Sequence, residues 1–216
     1  LVRQMVCVLV LCCCVLISKI ALAEISAKDV ATRLQNYYEQ TKNFTADFEQ
    51  EVHFLRANQI RFSKGRVYFE KPGLMRWEYT WPEELLIVAD KKNIYVYSKK
   101  DNQVMIFPKE KSLSSKLMLS FVSGKGNIFE DFRLGPVEEL PEGKVALILF
   151  PKEEAQIQKI KLLIDKKNGA LLGFSFWDQL GNLTRIKFLK TKRNIHLAKA
   201  LFNFEPPKGA EIIQER

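Results

Sequence analysis

A chain of 216 residues, 47% hydrophobic and 27% charged, suits one domain large enough to bury a sizeable core, and its formal charge is +9. All four cysteines, Cys7, Cys12, Cys13 and Cys14, fall within the first 23 residues. The remainder of the chain has no thiol, disulfide or cysteine metal site, so its stability must come from packing.

Residues 1–23 read as a cleaved secretory signal peptide: Arg3 precedes an apolar run from Val6 to Ile17, and the segment closes on Ala21-Leu22-Ala23. The domain then runs from 24 to 216. A transmembrane anchor is the competing reading, but the uncharged stretch from Val6 to Ser18 is too short to span a bilayer, and Lys19 interrupts its continuation. Lipidation at one of Cys12 to Cys14 would tether the protein, yet Leu11 precedes Cys12 and Cys13 precedes Cys14, where a small residue is wanted. Leu1 in place of Met suggests an unusual start codon. Loss of Arg3 and Lys19 leaves +7, a basic surface that serves solubility and could also favour acidic partners or anionic lipid headgroups.

In chain order, Ser26 and Asp29 form a capping pair, and Val30, Leu34 and Tyr37 fall on one face of a helix of about four turns. From Phe44 to Phe54 the period becomes two. Phe44, Ala46, Phe48, Val52 and Phe54 share a side that only Gln50 breaks, opposite Thr45, Asp47, Glu49, Glu51 and His53. The same alternation returns in Met75, Trp77 and Tyr79 against Arg76 and Glu78. It recurs in Ile160, Leu162 and Ile164 against Lys159, Lys161 and Leu163. Turns at Pro72-Gly73, Asp90 to Asn93, Lys99 to Asn102, Asn168-Gly169 and Gly181-Asn182 have hairpin spacing. Ser112 to Phe121 reads as a short second helix, with Leu113, Leu117 and Phe121 in step. The run containing Gly124, Gly126, Gly135, Pro136 and Pro141 reads as loop with one weak strand around Ile128, Phe129 and Phe132. About ten strands and no βαβ unit give one long, curved antiparallel sheet, with two helices available to cover its apolar concave face. Whether side chains fill that concavity or leave a cavity is open at this point.

Catalysis finds little support. His53 lies on a polar strand face and His196 in a basic loop, and Ser175 lacks the second glycine and the turn of a nucleophile elbow. Gly124-Lys125-Gly126 is half a phosphate loop without its βαβ context. Glu83-Glu84 and Glu138-Glu139 sit in expected turns, no metal cluster is evident, and no cofactor is implied. Basic residues alternate with aromatics at Arg61-Phe62 and Lys187-Phe188, but on opposite strand faces, which does not frame a nucleic-acid groove.

Phe44-Thr45-Ala46-Asp47-Phe48-Glu49-Gln50 resembles the opening strand of the LolA family of outer-membrane lipoprotein carriers. The stretch from Gly65 through Lys71-Pro72-Gly73 to Trp77-Glu78-Tyr79 is similar to the family's central segment. Leu86 to Asp90 and Ile94 to Tyr97 continue it, and Phe202 to Glu211 resembles its closing stretch. The resemblance implies a mainly β fold with helices: a half-open antiparallel β-barrel of about eleven strands, covered by a helical lid over a cavity for acyl chains. It implies a monomeric periplasmic carrier, loaded by an inner-membrane ATP-driven release complex and unloaded at an outer-membrane lipoprotein receptor. Alternating apolar positions in the two most family-like segments make Phe48, Val67, Phe69, Met75 and Trp77 the candidate acyl contacts, although parity also permits some to be convex. Lys71 stands where some members have a lid-contacting arginine. Lys keeps the charge and loses the planar fork of donors. Met75 replaces a frequent Phe and can repack around different chains. A tethered lipid transporter, a sensor of similar fold and an esterase are the alternatives.

Overall fold

The computed structural model describes residues 25–109, 126–153 and 156–214; the signal segment and the helix expected at Ser112 to Phe121 lie outside them. Helix α1 (Ala27–Glu39) precedes six strands: β1 (Asn43–Phe54), β2 (Gln59–Glu70), β3 (Leu74–Trp81), β4 (Leu85–Ala89), β5 (Asn93–Ser98) and β6 (Gln103–Pro108). A helical turn, α2 (Ile128–Asp131), opens the second half. It leads to β7 (Phe132–Leu140), β8 (Lys144–Pro151), β9 (Ile157–Asp165), β10 (Leu171–Asp178) and β11 (Leu183–Arg193). A 3₁₀ turn (Lys199–Phe202) and β12 (Glu211–Gln214) end the chain's described part.

All twelve strands join one open sheet in the order β12, β6, β5, β4, β3, β2, β1, β11, β10, β9, β8, β7. Hairpins make every neighbouring pair except two. β1 meets β11 across the middle, with Phe48 opposite Phe188 and Gln50 opposite Ile186. At the far edge β12 runs parallel to β6, an arrangement absent from the antiparallel expectation. The tail reaches that edge across the convex face, where Arg76 donates to the Leu201 carbonyl (3.1 Å) and Phe204 packs on Tyr95 and Tyr97.

Local chemistry sets the element ends. The Ser26 hydroxyl accepts from the Lys28 amide, and Val30, Ala31 and Leu34 bury one stripe of α1 against β7, β8 and β9. The Asp90 carboxylate accepts from the amides of Lys92 and Asn93, and Asp165 does the same for Lys167 and Asn168, so both turns are Asx turns. The stretch read as loop with a weak strand is instead a capped helical turn and a strand of nine residues. Asn127 caps α2 by accepting from the Phe129 amide, and Phe132 is buried in the core beside Ile128. Gly135 and Pro136 are tolerated because they fall at the register shift between Leu134 and Val137, on an edge strand where proline forfeits no ladder bond.

Gly65 marks the tightest backbone approach in the sheet. A side-chain carbon there would lie 1.9 Å from the Glu78 carbonyl oxygen and 2.9 Å from the Tyr79 Cα. Gly65→Ala must therefore push β2 off β3, and a loss of about 3 kcal/mol in urea unfolding is expected. An unchanged midpoint would contradict that packing.

Candidate functional site

Cross-strand pairing collects the inward side chains in register. Phe44 faces Phe69 and Ala46 faces Val67 across β1 and β2, while Val67 faces Trp77 and Phe69 faces Met75 across β2 and β3. On the other wing, Phe174 lies opposite Ile186 and Leu162. The Phe44, Phe174 and Trp77 rings each come within 5.9–6.3 Å of Phe188, so the wings meet in one aromatic floor. Between this floor and the last turn of α1 lies a cavity of about 160 Å³, whose only charged lining residue among the described ones is Arg193.

Four of the five candidate contacts, Val67, Phe69, Met75 and Trp77, line this cavity. Phe48 does not. It is fully buried on the same concave face, edge-on to Trp77 (4.7 Å), which lines the cavity, and to Tyr79 (4.9 Å), which does not. Sequence reasoning did not name as lining Tyr37 and Tyr38 in the last turn of the helix, Thr41 just beyond it, or Phe174 and Phe188 on β10 and β11. For Leu162 the signal was present, since the alternation in β9 places it with Ile160 and Ile164.

The polar break at Gln50 also has an explanation. Its side-chain oxygen accepts from the Tyr79 hydroxyl at 2.9 Å, which satisfies two polar groups on an otherwise apolar face. Burial pushes the Tyr79 hydroxyl up to about 12.

Lys71, in the turn between β2 and β3, reaches the C-terminal end of α1. Its Nζ donates to the Tyr38 carbonyl at 2.7 Å, stands 3.4 Å from that of Glu39, and lies 4.2 Å from the centre of the Tyr38 ring. The helix has no basic residue in its own last turn, so Lys71 supplies from the sheet the cation that the negative end of the dipole favours. Loss of water lowers the Lys71 pKa, and the neighbouring Glu39 opposes that shift. From the other side, the Arg193 guanidinium stacks on Tyr37 at 4.2 Å and the Asn194 amide donates to the Gln40 carbonyl at 3.0 Å. Thr41 closes the set by donating its buried hydroxyl to the Tyr37 carbonyl at 2.7 Å.

With this geometry in view, the chain matches the family model for the outer membrane lipoprotein carrier protein LolA over residues 39–205. The chain belongs to the LolA family. An outer-membrane lipoprotein carrier protein of Legionella pneumophila (strain Paris) is 32% identical over 195 residues, covering 89% of this chain and 93% of its own. One from Dechloromonas aromatica (strain RCB) is 28% identical, covering 85% and 86%. Among solved structures, an uncharacterized conserved protein from Thermus thermophilus shares the fold, with a TM-score of 0.55 and 23% identity, over 88% of this chain and all of that one. The LolA match includes both the floor of the cavity and Lys71.

Tyr79→Phe leaves the half-buried Gln50 oxygen without its donor and should cost about 1 kcal/mol. The raised Tyr79 pKa fixes a pH signature as well. The folded protein holds the phenolic proton more tightly than the unfolded chain, so this stabilisation is complete below pH 10.0 and disappears as pH rises toward about 12. Urea unfolding across that range should show the parent losing stability more steeply than Tyr79→Phe; parallel curves would contradict the assignment.

Proposed function

We propose that this protein is a periplasmic carrier that binds the acyl chains of lipoproteins released from the inner membrane and delivers them to the outer membrane, without chemistry on the cargo. The observation that carries the reading is the cavity: an aromatic and aliphatic floor, open under one helix turn, in a chain of the LolA family. A triacylated anchor holds on the order of 45 methylenes at about 0.8 kcal/mol each, so it leaves a bilayer unshielded at a cost of roughly 35 kcal/mol. A carrier must recover much of that and still release its load, which partial burial under a movable cover achieves. An inner-membrane ATP-driven release complex and an outer-membrane receptor are the partners that membership of the LolA family implies.

Magnitudes point to the moving part. A dry cavity of roughly 150 Å³ admits a ligand of benzene size, so about 160 Å³ between the floor and α1 is too little for a long acyl chain unless a neighbouring element moves. Detaching the whole of α1 would expose Val30, Ala31 and Leu34, all at most 4% exposed. The C-terminal turn is the cheaper hinge, because Tyr37 and Tyr38 are only half-buried and are held by polar contacts.

Met75→Glu places a charge on the floor and should weaken uptake of an apolar fluorescent probe at least about tenfold, with a near-parental urea midpoint. Normal delivery of lipoproteins by that variant would sink the site assignment. Lys71→Leu removes a charged donor worth roughly 1.5–3 kcal/mol and should shift the turn toward the open state, raising probe uptake about tenfold. Lys71→Arg should match or tighten the parent. If both Lys71 variants bind and release cargo as the parent does, the residue is only a surface lysine.

A further inference from the structure

We propose that one end of the sheet, built by the β1–β2 and β10–β11 turns, is a docking surface for bilayers containing anionic lipid. Seven large apolar side chains stand exposed among the described residues, and five of them, Leu55, Ile60, Phe62, Trp81 and Leu180, gather at this end. The register brings them together. Ile60 and Phe62 share the convex face of β2, and a bulge turns Trp81 to the same face by pairing it with Lys64. At the tip, Leu55 lies 3.0 Å from where a side-chain carbon on Gly181 would sit, which sets it beside the turn that carries Leu180. Each of the five is 48–68% exposed, an apolar area on the order of 500 Å².

The charges around this patch favour an anionic surface. Glu51 is occupied by Arg185 at 2.6 Å and His53 at 2.8 Å, and Glu83 and Glu84 are paired with Lys100 and Lys99. Arg56, Arg61 and Lys64 form no ion pair among the described residues, Glu49 stands across the β1–β2 pair from Lys64, and Arg61 lies over the Phe54 ring at 5.1 Å. Aromatic and aliphatic tips flanked by free guanidinium and ammonium groups match the headgroup layer, where the rings enter the acyl boundary and the cations meet phosphate. Lys71 and Arg193 sit at the opposite end of the sheet, so a docked molecule keeps its hinge turn free. Its use in delivery rests on the carrier reading; the surface itself is scored without cargo.

The test is co-sedimentation of the purified protein with phosphatidylethanolamine–phosphatidylglycerol vesicles and with phosphatidylcholine vesicles, alongside probe uptake. The parent should favour the anionic vesicles at least about tenfold, and Arg56→Gln should lower that binding about fivefold. Leu55→Ser with Phe62→Ser should lower it at least about tenfold while probe uptake stays parental; should that pair fail to fold, Arg56→Gln with Arg61→Gln replaces it. Met75→Glu should do the reverse, losing the probe and keeping the vesicles, so failure of the cavity and failure of the surface are told apart. Absence of parental vesicle binding, parental binding by the tip variants, or loss of vesicle binding in Met75→Glu would each overturn the proposal. A tip variant that loses cargo transfer when the parent binds no vesicles would assign the patch to a protein partner instead, and also overturn it.

Discussion

The edge-on packing of Phe48 against Trp77 and Tyr79 is the contact on which the cavity rests. Large rings on a concave surface tend to fall inward and fill it, because an empty cavity forfeits dispersion contacts on one side of every lining atom. Here Phe48 packs edge-on against Trp77 from the neighbouring position on the same face of the sheet. Phe48 stands opposite Gly65, and Tyr79 is tethered further by its bond to Gln50. The floor can therefore remain a surface, as a carrier needs, instead of becoming an ordinary core.

The cover is built on a different principle. The first three turns of α1 are fixed by apolar burial, whereas its last turn is fixed by donors from the sheet: Lys71, Asn194 and the stacked Arg193. Apolar burial is strong and has no alternative partner, but carbonyls released by Lys71 or Asn194 can be taken up by water. That difference makes the last turn the cheapest place for the proposed opening, at the cost of a few hydrogen bonds. The same division would let α1 belong to the core while its last turn acts as the proposed gate.

Much of this was legible in the sequence. Period-two alternation in β1, β3 and β9 gave the sheet and its inner face, and the Lys71-Pro72-Gly73 segment gave the family and a contact to the covering helix. Phe48 takes the concave face that alternation gave it but lies outside the cavity lining, because alternation reports which face a side chain takes and not where along the strand the cavity runs. Tyr37 and Tyr38 were missed as lining because a helix stripe reads as core when its partner surface is unknown. The stretch after residue 126 was undervalued because Gly135 and Pro136 look like breakers until the bulge and the sheet edge absorb them. No pattern in β12 announces its parallel pairing, which follows from where the tail crosses the convex face.

The central claim is that acyl chains occupy the space between the aromatic floor and the last turn of α1. Photocrosslinking with a lipoprotein whose acyl chains carry a diazirine tests it most directly. The account predicts adducts on Val67, Met75, Phe174 and Tyr37; adducts confined to the convex face or to the β12 edge, with these residues unmodified, would contradict it.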